Sequence, residues 1–394
     1  MPRPDASWGL NDVIAHVDGI RRSPAARAGL VELLAERAPV YAGRGTNEVE
    51  RIRSCLLASF AATGLPAAAI PYVVEELESG RNPHTVAAAA RAVRGGGTLP
   101  PDIVPLLLAA AERFAAADDR VSLDTASSPP HAGRPTTVLT EIFCTLGWLG
   151  PLAARARDAL QAMLRQPTGA FSRAVREEIA GAIEAISTPA AGGAGACCAR
   201  ADACEAEISG PGTGSFPDSL SKLLLQDQDG AHLTLAEALL GRASAVAFFY
   251  TRCMNPERCS LTITKLAGLQ SHLFQEELHD EVNVAGITYD PRFDLPARLR
   301  TYGADRGMRF DPRNRLLRTI GSFEPLRAWF DLGVGYGPVT VNRHRLDLVL
   351  LDAAGRVAAS YQRRLWPEDE VLCALRRIAR RQVPDPAEAT GRTW

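Results

Sequence analysis

A stretch of small and helix-breaking residues divides the chain at positions 188–215. It consists mainly of Ala, Gly, Pro and Ser, a composition typical of flexible linkers. The chain has 394 residues, more than one hydrophobic core usually holds, so a division into two domains is expected. We therefore predict a domain at 1–187, the linker at 188–215, a second domain at 216–380 and a flexible tail at 381–394.

The part before the linker carries only helical patterns. Apolar residues recur at helical spacing in eight segments that Gly and Pro separate, and no alternating strand pattern interrupts them. The segments are 25–37, 48–62, 67–79, 85–94, 103–116, 136–149, 152–164 and 172–186. Consecutive pairs of short helices favour an α-solenoid, in which each hairpin buries its apolar face against its neighbours.

One pair of these helices is similar to a known repeat. Residues 70–77, the Asn82–Pro83 turn and the alanine-rich residues 84–92 together resemble a HEAT repeat. The resemblance implies a HEAT-like helical domain that binds a partner protein or peptide. An irregular helical bundle is the alternative interpretation.

The part after the linker alternates strands and helices. The predicted strands are 243–250, 282–288, 346–351 and 356–361, and the predicted helices are 259–273, 295–302 and 368–378. The first two strands are continuous apolar runs, as expected for strands buried on both faces. Strand, helix, strand, helix, hairpin and helix is the thioredoxin order. The predicted fold class is therefore a multidomain chain, with an all-α N-terminal domain and a thioredoxin-like α/β C-terminal domain.

Two cysteines lie between the first buried strand and its helix. Cys259 falls at the predicted N-terminus of the helix, where unpaired N–H groups and the helix dipole are expected to lower the pKa of its thiol. Arg252 and Arg258 flank the pair formed by Cys253 and Cys259 and would also stabilise thiolates. Two thiolates in one loop can close a disulfide or bind a soft ion such as Cu(I), and the residue types leave both options open.

Three motifs of this domain occur in the same order in a known family. The first strand ends in Tyr-Thr before the cysteines and Leu-Thr opens the helix. The next strand ends in Asp-Pro followed by Asp and Pro, and a histidine precedes a strand with an Asp-x-x-Gly turn. The residues are Tyr250, Thr251, Cys253, Cys259, Leu261, Thr262, Asp290, Pro291, Asp294, Pro296, His344, Asp352 and Gly355. On these motifs the C-terminal domain resembles the Sco/SenC family of copper-binding thioredoxin-fold proteins.

This resemblance implies a metal site and its ligands. The family's copper ligands fall on Cys253, Cys259 and His344, and copper, as Cu(I) or Cu(II), is the implied cofactor. Two thiolates and an imidazole suit both oxidation states. If the protein acts instead by thiol chemistry, Cys253 and Cys259 are the catalytic residues.

The chain departs from the family pattern in three respects. Five residues, rather than three, separate the two cysteines. The acidic residue that the family places between them has no clear equivalent, and Glu257 is the nearest candidate. The first residues also lack the basic, apolar and small-residue regions of an export signal, whereas the family is normally exported.

Charge and hydropathy limit the expected partners. The chain has 44 basic and 45 acidic residues, so no overall field favours nucleic acid or an anionic membrane. No apolar run is long enough to span a bilayer. We expect a cytoplasmic protein that binds neither nucleic acid nor membrane and that binds a partner protein or peptide through its helical domain.

The other cysteines have different expected roles. Three thiols of the linker would capture a soft metal ion, resolve a disulfide or serve no purpose: Cys197, Cys198 and Cys204. Three more lie within apolar helical patterns and are expected to be buried core residues: Cys55, Cys144 and Cys373. We expect Met254, beside the site, to face solvent, and Gly333–Pro338 to form a flexible loop rather than a phosphate-binding one.

Three functional hypotheses follow. The first is a copper-binding Sco-like protein, either a metallochaperone or a copper-dependent redox protein that acts on a partner docked by the helical domain. The second is a thiol–disulfide oxidoreductase or peroxidase-like enzyme that uses Cys253 and Cys259. The third is an interaction scaffold with an inert C-terminal domain. Copper binding needs His344, whereas thiol exchange does not, and this difference separates the first two.

Overall fold

The computed structural model describes residues 3–21, 27–123, 136–167, 171–188 and 214–382. Internal contacts divide the chain into two compact units, one of Met1–Arg200 with Gly335–Arg343 and one of Ala201–Val334 with His344–Trp394. The linker cysteines Cys197, Cys198 and Cys204 lie outside the described residues. Within those residues, no helix is both long and apolar enough to cross a membrane.

The N-terminal unit is mostly helical, as predicted. Its helices are α1 (Leu10–Arg21), α2 (Arg27–Leu34), α3 (Thr46–Thr63), α4 (Ile70–Ser79), α5 (Pro83–Val93), α6 (Ile103–Phe114), α7 (Val138–Leu149), α8 (Arg157–Leu164) and α9 (Arg173–Ser187). The sequence analysis missed α1, although the buried residues Val13, Ile14 and Val17 have helical spacing. It also extended α7 too far, because Thr136–Thr137 (β2) pairs with Arg120–Val121 (β1) as a short antiparallel ladder.

Helix α5 shows why these segments are helical. The Asn82 side chain caps it by accepting hydrogen bonds from the backbone N–H groups of His84 and Thr85, at 2.9 and 3.3 Å, and Pro83 suits the first turn. The alanines at 87–90 are fully buried, and α3 packs against α5. Small side chains allow such close packing of helices. Helices α4 and α5 match the predicted pair in their bounds, and the HEAT-like character of that pair stays a prediction.

The C-terminal unit is built on a seven-stranded sheet. Its strands are β3 (Leu224–Asp227), β4 (His232–Thr234), β5 (Ala243–Phe249), β6 (Val282–Thr288), β7 (Asn314–Thr319), β10 (Asp347–Leu351) and β11 (Val357–Gln362). Their order across the sheet is β11, β10, β5, β6, β7, β3, β4. The helices are α10 (Asp218–Ser221), α11 (Leu235–Leu239), α12 (Leu261–Gln275), α13 (Pro296–Ala304), α14 (Glu324–Trp329) and α15 (Glu368–Gln382).

The centre of this sheet confirms the thioredoxin-like α/β class. Strand β5 is parallel to β6, β6 is parallel to β7, and all residues of β5 and β6 are buried. Strands β10 and β11 form the predicted antiparallel hairpin, and β10 adds to the other side of β5. Helix α12 is the crossover between the parallel strands β5 and β6. The cysteine segment therefore begins at the carboxyl end of β5, an interior strand of the sheet.

The prediction of a flexible loop at Gly333–Pro338 was wrong. Val334–Tyr336 (β8) and Val341–His344 (β9) form a two-stranded sheet, whose turn is closed by a 2.8 Å hydrogen bond from Gly337 N to Thr340 O. The glycines permit close packing here: a Cβ at Gly333 would lie 2.5 Å from the Arg345 side chain. Strand β9 ends at His344, so the hairpin fixes the backbone up to this residue.

Candidate metal centre

Cys253 and Cys259 lie on the segment that joins β5 to α12. Cys253 is half-buried in a loop four residues after the end of β5. Cys259 is fully buried in a single π-helical turn, Pro256–Ser260, that leads directly into α12. The Asn255 side chain caps this turn by accepting a hydrogen bond of 3.0 Å from Glu257 N. Three of the five residues between the cysteines therefore belong to an ordered, capped turn.

The structure brings the three predicted ligands together. His344 Nε2 lies 3.5 Å from Cys253 Sγ and 3.6 Å from Cys259 Sγ. All three potential ligand atoms lie within 4.8 Å of one another, and this is the one such group of three or more found among the described residues. Both cysteines are free thiols. The cluster can therefore either close a disulfide or bind a metal ion.

The orientation of His344 is fixed by its surroundings. Its Nδ1 lies 3.0 Å from the carbonyl oxygen of Arg345, which can only accept, so Nδ1 carries a proton and Nε2 is the ring nitrogen that faces the two sulfurs. The rings of Tyr250 and Tyr289 pack against the imidazole, with centroids 5.4 and 5.6 Å away. Only 4% of His344 is exposed. A hydrogen bond of this kind is typical of histidines that bind metal ions.

The pKa values of the two thiols are shifted in opposite directions. Cys259, which was expected to be the thiolate, has the raised pKa. The hydrogen bond from Cys259, with further help from His344, lowers the pKa of Cys253 to about 3. Burial, together with the neighbouring Cys253, raises the pKa of Cys259 well above its ordinary value. The expectation that the helix N-terminus lowers the pKa of Cys259 was therefore wrong, because complete removal from water outweighs the dipole. In the metal-free protein, the pair holds one thiolate, at Cys253.

The Asp-Pro motif supports the backbone just before Cys253. The Asp294 carboxylate is fully buried and accepts hydrogen bonds from Thr251 N, at 3.1 Å, and from the hydroxyls of Thr251 and Thr288. Burial raises the pKa of Asp294. Asp290 forms an ion pair with Arg252. The sequence motif located these residues, but their supporting role is visible only once β5 and β6 lie side by side.

Charged residues around His344 are paired with acids. Arg343 and Arg345 flank this histidine in the sequence. Arg345 pairs with Asp347 at 2.6 Å, and Arg343, which belongs to the helical unit, pairs with Glu75 and Glu76 of that unit. Asp347 therefore offsets the positive charge of Arg345.

Arg258 makes a contact with His344 that could not be predicted from the sequence. Its side chain is buried, and its Nη1 donates a 2.8 Å hydrogen bond to the carbonyl oxygen of His344. The sequence predicted that the charge of Arg258 would stabilise thiolates. No local pattern indicated its contact with His344, because the two residues lie 86 positions apart.

The remaining candidates lie outside the cluster. Glu257 is not part of the group of candidate ligands. Met254 is 93% exposed, as expected for a solvent-facing residue. Cys55 is buried as predicted, whereas Cys144 and Cys373 are only half-buried. The thiol of Cys144 donates a hydrogen bond of 3.2 Å to Glu178.

A thioredoxin-like domain with two cysteines and a histidine at the end of its central strand belongs to the class of thiol- or metal-binding proteins of that fold. Comparison with family models sharpens this assignment. Residues 220–380 match the family described as SCO1/SenC, so the C-terminal region is a SCO1/SenC domain, as the sequence motifs predicted. None of the curated proteins compared with the chain matches it.

Solved structures similar to this domain come from several organisms. A SCO1/SenC family lipoprotein from Bacillus anthracis is 20% identical, over 43% of this chain and 96% of that one, with a TM-score of 0.36. Bradyrhizobium japonicum ScoI, solved with copper bound, is 23% identical over 42% and 99% of the two chains, with a TM-score of 0.33. Yeast Sco1, also solved with copper bound, is 22% identical over 46% and 96%, with a TM-score of 0.35.

Proposed function

We propose that the C-terminal domain binds copper through Cys253, Cys259 and His344. The observation that carries this proposal is the convergence of two sulfurs and one imidazole nitrogen within 4.8 Å at the end of the central strand. Two soft thiolates favour Cu(I), and the imidazole also suits Cu(II). The match of residues 220–380 to the SCO1/SenC family supports the same ion.

The residues present fit copper without a large rearrangement of the histidine. The Nδ1–H of His344 is already engaged, so Nε2 is the free ligand atom. Cys253 supplies a thiolate at neutral pH, and copper would displace the second proton from Cys259. Bound copper would supply an ion for transfer to a partner or for one-electron redox chemistry.

The helical unit is proposed to hold the partner protein or peptide that receives or uses the ion. Its predicted solenoid character supports this role, and Trp148 and Leu152 are exposed apolar residues on it, at 49% and 69%. A photo-crosslinking amino acid at position 148 tests the idea. A specific adduct that forms in cells and is lost in the Leu152→Asp variant supports it, and the absence of any specific adduct contradicts it.

Copper binding is tested by anaerobic titration with Cu(I) against a chromophoric chelator. The linker thiols could bind Cu(I) by themselves, so the reference protein carries serine at Cys197, Cys198 and Cys204. We expect one equivalent of Cu(I) per chain, with affinity reduced by more than about 100-fold in Cys253→Ser and His344→Ala, since even outer-shell partners of ligands contribute about 10–100-fold. A Cu(I) affinity in His344→Ala equal to that of the reference protein would contradict the proposal.

The matched control for this titration is Cys144→Ser. Cys144 is also a half-buried free thiol, but burial and its hydrogen bond to Glu178 raise its pKa to about 11. It therefore holds its proton at neutral pH, and its replacement should leave copper affinity unchanged.

Thiol–disulfide exchange is the second candidate function. It is favoured by the low pKa of Cys253 and by the proximity of the two sulfurs, which lie within 4.8 Å. Exchange with a dithiol of known potential gives the reduction potential of the pair. Retention of rapid exchange in His344→Ala, together with no copper binding by the reference protein, would favour this function over the first.

A further inference from the structure

The extended segment between the two cysteines places a buried guanidinium beside the centre. Arg258 directly precedes Cys259 in the π-helical turn and is 5% exposed. Its Nη1 is 2.8 Å from the carbonyl oxygen of His344. It thus touches the backbone of one candidate ligand and is covalently next to another.

The net charge of the centre depends on the copper oxidation state. Two thiolates and a neutral imidazole carry two negative charges, so Cu(I) leaves the centre with one negative charge and Cu(II) leaves it neutral. A fixed positive charge nearby stabilises the first state more than the second. The guanidinium of arginine stays charged in proteins, and burial reduces the solvent screening of such an interaction.

The guanidinium of Arg258 is a fixed positive charge beside the centre. Because Arg258 directly precedes Cys259 and donates to the carbonyl oxygen of His344, its charge favours negative charge at the centre. Its hydrogen bond to His344 O holds it in place when the ion is bound or lost.

We propose that Arg258 determines the oxidation state that this centre prefers, by biasing the copper site toward Cu(I) through its fixed charge. This inference rests on the proposed function, because it needs copper at Cys253, Cys259 and His344. It assigns a role to the buried residue that directly precedes Cys259 in the π-helical turn.

The charge can be separated from the hydrogen bond by two substitutions. Arg258→Lys keeps the positive charge and a donor but loses the planar fork, whereas Arg258→Gln keeps a donor and removes the charge. Arg300→Gln is the control, since it removes an exposed arginine of the same domain that pairs with Asp229 and has no part in the proposed site. Arg258→Met serves as a second uncharged variant if the glutamine variant does not fold, as judged by its thermal melt.

The measurement is the affinity for Cu(I) divided by the affinity for Cu(II). Each affinity is determined by competition with a chelator of known affinity. In Arg258→Gln we expect the ratio to fall by about tenfold or more, which corresponds to about 59 mV for one electron. Arg258→Lys and Arg300→Gln should stay within about threefold of the unsubstituted protein, because a threefold change is well under 1 kcal/mol.

Two results would overturn the inference while leaving copper binding intact. An unchanged ratio in Arg258→Gln would show that the charge does not act on the centre. An equal fall in the lysine and glutamine variants would show that the geometry of the hydrogen bond matters and the charge does not. If the unsubstituted protein binds neither ion, the proposed function itself fails, and the inference about Arg258 fails with it.

Discussion

The Nε2 atom of His344 lies 3.5 Å from the Sγ atom of Cys253, although the two residues are 91 positions apart in the sequence. Cys253 follows the central strand β5, and His344 ends β9. The fold brings them together because β10, which starts three residues after His344, pairs with β5. The sheet topology thus builds the centre from segments that are distant in the sequence.

Alkylation of the metal-free protein should be selective for Cys253. Its pKa of about 3 leaves it as the thiolate throughout the range from about pH 5 to about pH 8, so its rate should be nearly constant there. An ordinary thiol, with a pKa of about 8.5, reacts about tenfold more slowly with each unit of pH below that value. Mass spectrometry after iodoacetamide treatment identifies the site.

The histidine provides the control for this prediction. His344 helps to lower the pKa of Cys253, so His344→Ala should slow the alkylation of Cys253 at about pH 5 relative to the unsubstituted protein. Cys259 should stay unmodified in the folded protein, because it is fully buried. Faster labelling of Cys259 than of Cys253 would contradict the assignment.

Asp294→Asn should destabilise the C-terminal domain and weaken copper binding. The carboxylate accepts hydrogen bonds from Thr251 and Thr288, and one amide oxygen cannot replace all of them. We expect a loss of about 1–3 kcal/mol in the free energy of unfolding, measured with urea. Asp218→Asn is the control, since the Asp218–Lys222 pair is exposed, and equal stability of both variants would refute the prediction.

Arg343→Met should destabilise the helical unit. Arg343 contacts Glu75 at 3.2 Å and also pairs with Glu76, and both carboxylates are almost completely buried. Removal of one partner from a buried pair leaves uncompensated charge and costs about 3–5 kcal/mol. Far-UV circular dichroism during urea unfolding measures this loss.

Two further variants test that account of Arg343. Arg343→Met combined with Glu75→Gln and Glu76→Gln should recover much of the lost stability, because no buried charge is then unpaired. Arg173→Met removes an exposed ion pair with Glu177 and should have little effect. No difference between Arg343→Met and Arg173→Met would show that the buried pairs do not stabilise the unit.

Met254→Ala should leave the Cu(I) affinity within about twofold of the original. The side chain is 93% exposed beside Cys253 and is expected to face solvent rather than to bind the ion. Titration with Cu(I) checks this, and a fall in affinity of about tenfold would show that the thioether contributes to binding.

The sequence predicted much of the C-terminal domain because its signals are local. Apolar runs such as Ala243–Phe249 can only be buried strands or buried helical segments, and their flanks and length favour strands. The residues of the candidate site were found through the family motifs rather than through spacing alone. The hairpin of β10 and β11 was predicted because its turn residues lie between two apolar runs.

The features that sequence analysis missed depend on distant contacts. The burial of Cys259, which reverses the expected order of the two thiol pKa values, follows from packing that no local pattern records. The contact between Arg258 and His344 O joins residues 86 positions apart. The glycines of 333–338 indicated flexibility, although close packing is what they permit.

X-ray absorption spectroscopy of the copper-loaded protein tests the proposed centre most directly. The measurement uses the protein with serine at the three linker cysteines, so that every sulfur bound to copper comes from the domain. The account predicts two sulfur neighbours and one imidazole nitrogen, with the imidazole signal absent in His344→Ala. A copper environment without imidazole in the unsubstituted domain, or one unchanged by His344→Ala, would contradict it.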